Sequence, residues 1–151
     1  MHFLGNIEAK IDSKGRFFLP IQFRKLLQEE AEEKIILSKN LYQPCLTLFP
    51  FSTFNSELAE LRSSLNAWNP KHQQILRQYL CNIEVITLDI NGRTLIPKRY
   101  LKLAQITNEI RLIGVDNKIE VWAKELTSKP FMEPDEFTLA LSQLMNKSNE
   151  Q

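Results

Sequence analysis

The amino-acid sequence predicts a mostly β fold with added helices, in which two copies of one unit form a single pseudo-twofold β-barrel. The main observation is a repeated motif: an apolar residue, then D-x-x-G-R, then three residues of which the third is aliphatic, then proline. The copies lie at residues 12–20 and 89–97, so each shared residue recurs 77 positions later. Internal self-similarity of this kind indicates a repeat architecture, and it fixes the organisation of the chain before any site is considered.

Each copy of the motif is predicted to form two short strands joined by a tight turn. Residues 7–11 alternate apolar and polar, with the period of two that a half-buried strand shows. Asp12 can hydrogen-bond its own backbone two residues on, and Gly15 supplies the positive φ that such a turn requires. Asp89 and Gly92 occupy the same positions in the second copy. We therefore assign these four residues to the shaping of the turns.

The tips of the two turns carry the residues that we expect to be functional. The first tip presents Lys14 and Arg16, and the second presents Asn91 and Arg93. A guanidinium can grip a phosphate or a guanine with two parallel hydrogen bonds, and a lysine adds a point charge. We interpret the aspartate of each motif as the group that holds the arginine four residues on. The alternative is that each aspartate–arginine pair only stabilises its hairpin and has no role in binding.

The sequence after each motif predicts the same further elements, a short helix and two strands. The helices are predicted at 21–27 and 98–104, the next strands at 34–38 and 109–113, and the last strands at 45–49 and 119–122. Each unit has about forty residues, too few to bury a core of its own. We therefore predict that the two units interlock in one barrel, with two separate small domains as the alternative.

Helical sequence separates the two units and follows the second one. Phe54, Leu58, Leu61 and Leu65 form one apolar stripe, and Asn69-Pro70 predicts the N-cap and first turn of a second helix. Such stripes indicate core or subunit packing. The chain is accordingly divided into repeat 1 at 5–52, a helical connector at 53–81, repeat 2 at 82–125 and a partly helical C-terminal tail at 126–151.

The charge of the chain is unevenly distributed, although its net value is only +1. Residues 10–25 contain five basic residues against one acid, and residues 89–102 contain four against one. A polarised surface attracts phosphate even when the whole molecule is nearly neutral. Solvated surface charge is the alternative for each basic residue outside the tips. These secondary candidates for phosphate contact are Arg24, Lys25, Lys98, Arg99 and Lys102.

Several classes of function find no support in the sequence. No apolar run approaches the ~20 residues of a membrane span, and the start of the chain lacks a signal-peptide layout. Cys45 and Cys81 indicate buried thiols in a reducing cytoplasm rather than a disulfide scaffold. His2 and His72 accompany no nucleophile at a recognisable spacing, and no nucleotide-binding fingerprint or metal cluster occurs. We therefore expect no catalysis, no cofactor, no metal, no membrane contact and no small-molecule substrate.

The paired motifs resemble those of the MraZ family of bacterial transcriptional regulators, relatives of the SpoVT/AbrB group. The likeness runs from about Gly5 to Trp122 and includes both D-x-x-G-R motifs and the segment 45–50. It implies two SpoVT/AbrB-like swapped-hairpin units in one barrel, and a ring-shaped homo-oligomer. It also implies a DNA-binding repressor, cytoplasmic and nucleoid-associated, that binds direct repeats upstream of its own gene and of the division and cell-wall gene cluster.

The second motif departs from the family pattern, which carries glutamine where this chain has Asn91. Asparagine still bonds adenine edges or phosphates, with a shorter reach. A role in binding protein is the alternative to DNA binding, with the same hairpins serving an assembly or antitoxin-like partner. Association that weakens steeply with salt distinguishes DNA from such a partner. Because one subunit offers few contacts, tight binding would need several subunits on tandem sites.

Overall fold

The computed structural model describes residues 2–149, which contain eight strands and five α-helices. The strands are β1 Asn6–Lys10, β2 Arg16–Phe18, β3 Ile35–Lys39, β4 Leu46–Pro50, β5 Ile83–Ile86, β6 Arg93–Leu95, β7 Glu109–Gly114 and β8 Ile119–Ala123. The helices are α1 Ile21–Glu29, α2 Phe51–Ser63, α3 Pro70–Cys81, α4 Lys98–Leu103 and α5 Pro134–Asn149, and a short 3-10 helix covers Lys124–Thr127. The order of elements predicted for each repeat, strand, turn, strand, helix, strand, strand, is confirmed.

Strand pairing crosses between the two repeats. Six strands form an antiparallel sheet in the order β1-β7-β8-β4-β3-β5, while β2 pairs with β6 in a separate two-stranded ribbon. The first strand of repeat 1 thus pairs with repeat 2, in the register Asn6↔Ile113, and β5 pairs with β3, in the register Ile35↔Ile86.

The prediction of a closed barrel is wrong. In residues 2–149, β1 and β5 are the open edges of the six-stranded sheet and do not pair with each other. The short strands β2 and β6 join neither edge. Each has only three residues and is followed within two positions by a proline, Pro20 or Pro97, which has no backbone N–H to extend a ladder.

One hydrophobic core is shared by the two repeats. Positions that correspond under the displacement of 77 lie together in it: Leu19 with Ile96, and Phe23 with Tyr100, each at most 1% exposed. A fully buried aliphatic or aromatic side chain contributes about 1.5–3 kcal/mol to folding. Both repeats contribute side chains to this core. The packing of the core therefore fixes the position of the β2–β6 ribbon, which contains one strand from each repeat.

The connector helices agree with the prediction at one boundary and differ at another. Asn69 caps α3 as predicted, since its Oδ1 accepts hydrogen bonds from the backbone N–H of Lys71 at 2.9 Å and of His72 at 3.3 Å. Helix α2 begins directly after Pro50 and has no side-chain cap. It ends at Ser63, so the Leu65 of the predicted stripe lies beyond the helix.

The other face of the six-stranded sheet carries a second, smaller cluster. Ile36 and Phe49 point away from the main core and pack with Phe54 of α2 and Tyr79 of α3. The rings of Phe54 and Tyr79 stack with centroids 6.4 Å apart. The cluster anchors the connector helices on the face opposite the ribbon. Within residues 2–149, none of the helices has the length and apolar character needed to cross a bilayer.

Candidate nucleic-acid interface

The first hairpin turn is held by the carboxylate of Asp12. Its Oδ1 accepts hydrogen bonds from the backbone N–H of Lys14 at 3.0 Å and of Arg16 at 2.8 Å, and its Oδ2 accepts one from Arg16 Nε at 2.8 Å. The N–H of Gly15 donates to Asp12 O at 3.0 Å, with φ at 91°. Only glycine adopts that φ without strain, which explains its place in the motif.

The second hairpin turn repeats this geometry. Asp89 Oδ1 accepts hydrogen bonds from the backbone N–H of Asn91 at 2.8 Å and of Arg93 at 2.9 Å, and Oδ2 accepts one from Arg93 Nε at 2.9 Å. Gly92 has a φ of 83°, and its N–H donates to Asp89 O at 3.0 Å. The two D-x-x-G-R motifs therefore form equivalent turns.

These hydrogen bonds favour the ionised form of both aspartates. The backbone N–H of Arg16 is the main cause that lowers the pKa of Asp12 below 3.8, and the Arg16 side chain lowers that pKa further. Arg93 has the same two effects on the pKa of Asp89. Each arginine uses only Nε in its pair. Its two terminal nitrogens have no hydrogen-bond partner in the described part of the chain, so they are available to a ligand.

The β2–β6 ribbon brings the two arginines to one face. Its register is Arg16↔Leu95, Phe17↔Thr94 and Phe18↔Arg93. Arg16 and Arg93 are therefore diagonal neighbours, and standard sheet geometry places their Cα atoms about 7–8 Å apart. Phe17 and Thr94 alternate to the opposite face and are buried, which anchors the ribbon on the core.

The exposed face of the ribbon, formed by Arg16, Phe18, Arg93 and Leu95, combines charge with apolar surface. The arginine side chains are 36% and 32% exposed, and Phe18 and Leu95 are 58% and 48% exposed. The guanidinium carbon of Arg93 lies 5.9 Å from the Phe18 ring centroid, a cation–π distance. Phe18 and Leu95 are not among the site residues predicted from the sequence. The period-two alternation within β2 and β6 is the pattern that places them beside the arginines.

The remaining tip residues point outward from the turns. Lys14 and Asn91 are both exposed, and neither side chain bonds to another described residue. Ile90, which occupies the position of Ser13 in the second tip, is fully exposed at 101%. The first tip thus carries a cation where the second carries a neutral amide beside an apolar side chain.

The secondary basic residues fall into three situations. Arg24 donates from Nε to Leu19 O at 2.9 Å and lies against the second turn. Arg99 is engaged away from the tips, because its Nη2 lies 3.1 Å from Glu84 Oε2 and 3.0 Å from the Tyr100 hydroxyl. The other three are exposed on the first and fourth helices: Lys25, Lys98 and Lys102.

The ionisable groups outside the ribbon form no second chemical centre in residues 2–149. No cluster of three or more His, Cys, Asp or Glu with the arrangement of a metal site occurs there. Cys45 is buried as predicted, and burial raises the pKa of its thiol to about 12, so it is neutral at physiological pH. The prediction of a buried thiol is wrong for Cys81, which lies exposed at the end of α3. The ribbon is therefore the candidate site that the geometry singles out.

Similarity to known proteins covers both turns. The chain matches the sequence model of a family described as "MraZ protein, putative antitoxin-like" over residues 2–78 and 82–136. A relative from Bacteroides thetaiotaomicron named Transcriptional regulator MraZ is 56% identical over 151 residues, which cover 100% of this chain and 97% of that protein. A relative of the same name from Phocaeicola vulgatus is 54% identical over 99% of this chain and 97% of its own length. Another from Serratia proteamaculans is 33% identical over 82% of this chain and 80% of its own length.

Proposed function

This chain belongs to the MraZ family, and on that basis we propose that it is a transcriptional regulator that binds double-stranded DNA in a sequence-specific manner. The single observation that best supports the DNA contact is the placement of Arg16 and Arg93 on one exposed ribbon face. Each arginine is oriented by an aspartate through Nε and keeps two terminal nitrogens for a phosphate or a guanine.

The shape of the ribbon suits the major groove of DNA. A B-form major groove is wide enough to admit a two-stranded β-ribbon, whose side chains then reach the base edges. In this proposal Arg16 and Arg93 contact guanine or phosphate, Lys14 contacts phosphate or guanine, and Asn91 contacts an adenine edge or a phosphate. Phe18 lies directly opposite Arg93 and Leu95 directly opposite Arg16, and both offer apolar contact to thymine methyl groups.

The other residues of the site have supporting roles. Asp12, Gly15, Asp89 and Gly92 shape the turns and orient the arginines. The exposed Lys25, Lys98 and Lys102 and the second-turn neighbour Arg24 provide secondary phosphate contacts. The pairing of Arg99 with Glu84 makes it the weakest member of that group, because a phosphate would have to compete with a carboxylate already in place.

We further propose that several copies assemble into a ring. Helix α5 exposes Phe137, Leu141 and Met145 at helical spacing, and exposed apolar stripes mark protein interaction surfaces. A cleft of about 990 Å³ between the sheet and the connector helices offers a different surface of the same chain, lined by apolar residues such as Ile75 and Tyr79 and by charged ones such as Lys71 and Glu120. Contact between two different surfaces is heterologous, and it closes into a ring when the rotation permits.

This assembly would serve the regulatory role. A ring presents one ribbon per subunit, so direct repeats can engage several weak sites at once. We propose that the repeats lie upstream of the protein's own gene and of the division and cell-wall cluster. Binding there in the cytoplasm, at the nucleoid, would repress transcription. Within each subunit, the crossed strand pairing supports the proposed division into two swapped-hairpin repeats at 5–52 and 82–125, with the connector at 53–81 and the tail at 126–151.

A gel-shift assay with the DNA upstream of the protein's own gene tests this function. The proposal expects a retarded complex whose stability decreases as the spaced repeats are deleted one after another, and which weakens steeply with salt. The antitoxin-like alternative expects no shift of DNA and a salt-tolerant complex with a protein partner. That second result would overturn the proposal.

A further inference from the structure

The two tips differ in the basic residues that their own turns supply. Under the displacement of 77 positions, Arg16 corresponds to Arg93, but Lys14 corresponds to the neutral Asn91. The first turn therefore offers two cationic side chains and the second offers one. If both turns approach the same polyanion, the second lacks a charge that the first has.

A residue of the other repeat lies at the second turn. A Cβ built on Gly92 would be 2.5 Å from Arg24 Nη1 and 2.8 Å from Arg24 Cζ, so the guanidinium of Arg24 covers this glycine directly. The counterpart of Arg24 in the second repeat is Leu101. Its Cδ1 would be 3.3 Å from a Cβ on Gly15, which means that the same crossed contact at the first turn is apolar.

The guanidinium of Arg24 is positioned without being neutralised. Its Nε donates to Leu19 O at 2.9 Å, while the N–H of Leu19 donates to Gly92 O at 3.0 Å. Leu19 is therefore hydrogen-bonded both to Arg24 and to the second turn. No carboxylate forms an ion pair with Arg24 in residues 2–149, and Asp89, the carboxylate of the second turn, pairs with Arg93. The terminal nitrogens of Arg24 make no hydrogen bond to another described residue.

We propose that Arg24 supplies the second cation of the second tip and contacts a phosphate of the bound DNA beside Arg93. The first tip then carries both charges in its own turn, as Lys14 and Arg16, whereas the second tip receives one of its charges from the other repeat. This inference rests on the proposed function. It assigns Arg24 to a phosphate rather than a base, because the guanidinium lies against the backbone of Gly92 and not at the outward tip.

The salt dependence of DNA binding tests this assignment. Fluorescence anisotropy with a labelled duplex from upstream of the protein's own gene gives the slope of log K against log salt for each variant. Arg24→Gln keeps a donor for Leu19 O and removes the charge, and it should lower the magnitude of this slope by about 0.9 per Arg24 that contacts phosphate. Arg24→Lys should retain the slope. Arg62→Gln, an exposed arginine of α2 outside the site, is the matched control and should also retain it.

The reciprocal change strengthens the test. Leu101→Arg places a guanidinium at the first turn and should raise the magnitude of the slope by about 0.9. If Arg24→Gln lowers only the unfolding midpoint and leaves the slope unchanged, Arg24 is a structural residue and the inference is overturned while the proposed function stands. If the wild-type chain binds no DNA at any salt concentration, the proposed function and the inference both fail.

Discussion

Gly15 O accepts a hydrogen bond of 2.8 Å from the backbone N–H of Ile96, so the turn of the first repeat is fastened to the residue that directly follows β6 in the second. Leu19 and Gly92 make the reciprocal bond at 3.0 Å. The two tips are consequently held in one relative orientation by the backbone itself. These two backbone hydrogen bonds explain how two turns 77 residues apart in sequence can present their arginines on one face.

The two turn glycines should differ in their tolerance of alanine. Gly92→Ala should cost roughly 1–3 kcal/mol of folding free energy because of the positive φ. The new Cβ would meet the side chain of Arg24, which can shift, so we expect no large further loss. Gly15→Ala suffers the same strain, and its Cβ would also lie 2.5 Å from the backbone oxygen of Ile96. We expect a further loss of about 1–3 kcal/mol there. Urea unfolding measures both values, and equal losses would contradict the crossed-turn geometry.

The aspartates of the motif should make stability depend on pH in the acidic range. Because hydrogen bonds hold the pKa of Asp12 and of Asp89 below 3.8, their contribution is present above that value and is lost as pH falls through the lower folded-state pKa. The double variant Asp12→Asn, Asp89→Asn keeps the Oδ1 acceptors but cannot titrate. Its urea midpoint should fall less than that of the wild type between about pH 5 and about pH 2. Parallel curves for the two proteins would show that these pairs contribute nothing.

The two cysteines should differ in reactivity. Cys45 is buried and its pKa is raised to about 12, so almost no thiolate is present at pH 8, whereas Cys81 is exposed. A thiol-specific chromogenic reagent should label Cys81 rapidly in the native protein and both cysteines in urea. Cys81→Ser should abolish the rapid phase. Fast labelling that persists in this variant would show that the region around Cys45 opens.

The exposed stripe of α5 should control assembly. Replacing Phe137 and Leu141 together by glutamate puts two charges on a surface that we propose to be buried between subunits, so the mass measured by light scattering should fall. The control Gln143→Glu adds a charge to the same helix outside the stripe and should leave the mass unchanged. An unaltered assembly in the double variant would place the subunit contact elsewhere.

The sequence allowed the local elements to be predicted better than the contacts between them. The D-x-x-G-R turns and the Asn69 cap form because side chains hydrogen-bond to backbone groups at most four residues away. A short stretch of sequence therefore contains every residue needed to predict them. The open edges of the sheet depend instead on pairing between strands far apart in the chain.

The candidate site shows the same difference. The tip arginines are visible in the motif, and the alternation that exposes Phe18 is a local pattern. The contact of Arg24 with Gly92 and the pairing of Arg99 with Glu84 join residues of different elements, and no local pattern indicates them. The crossed packing of the two repeats decides both.

The most direct test of the ribbon as a DNA-binding surface is the dissociation constant for the upstream duplex, measured at one fixed salt concentration, for Arg16→Ala and Arg93→Ala. Neither change removes the backbone hydrogen bonds of the turns, and circular dichroism should confirm that both variants fold. Each should weaken binding by at least tenfold, the equivalent of about 1.4 kcal/mol, and Arg62→Ala on α2 should bind as the wild type does. Wild-type affinity in both arginine variants would contradict the account.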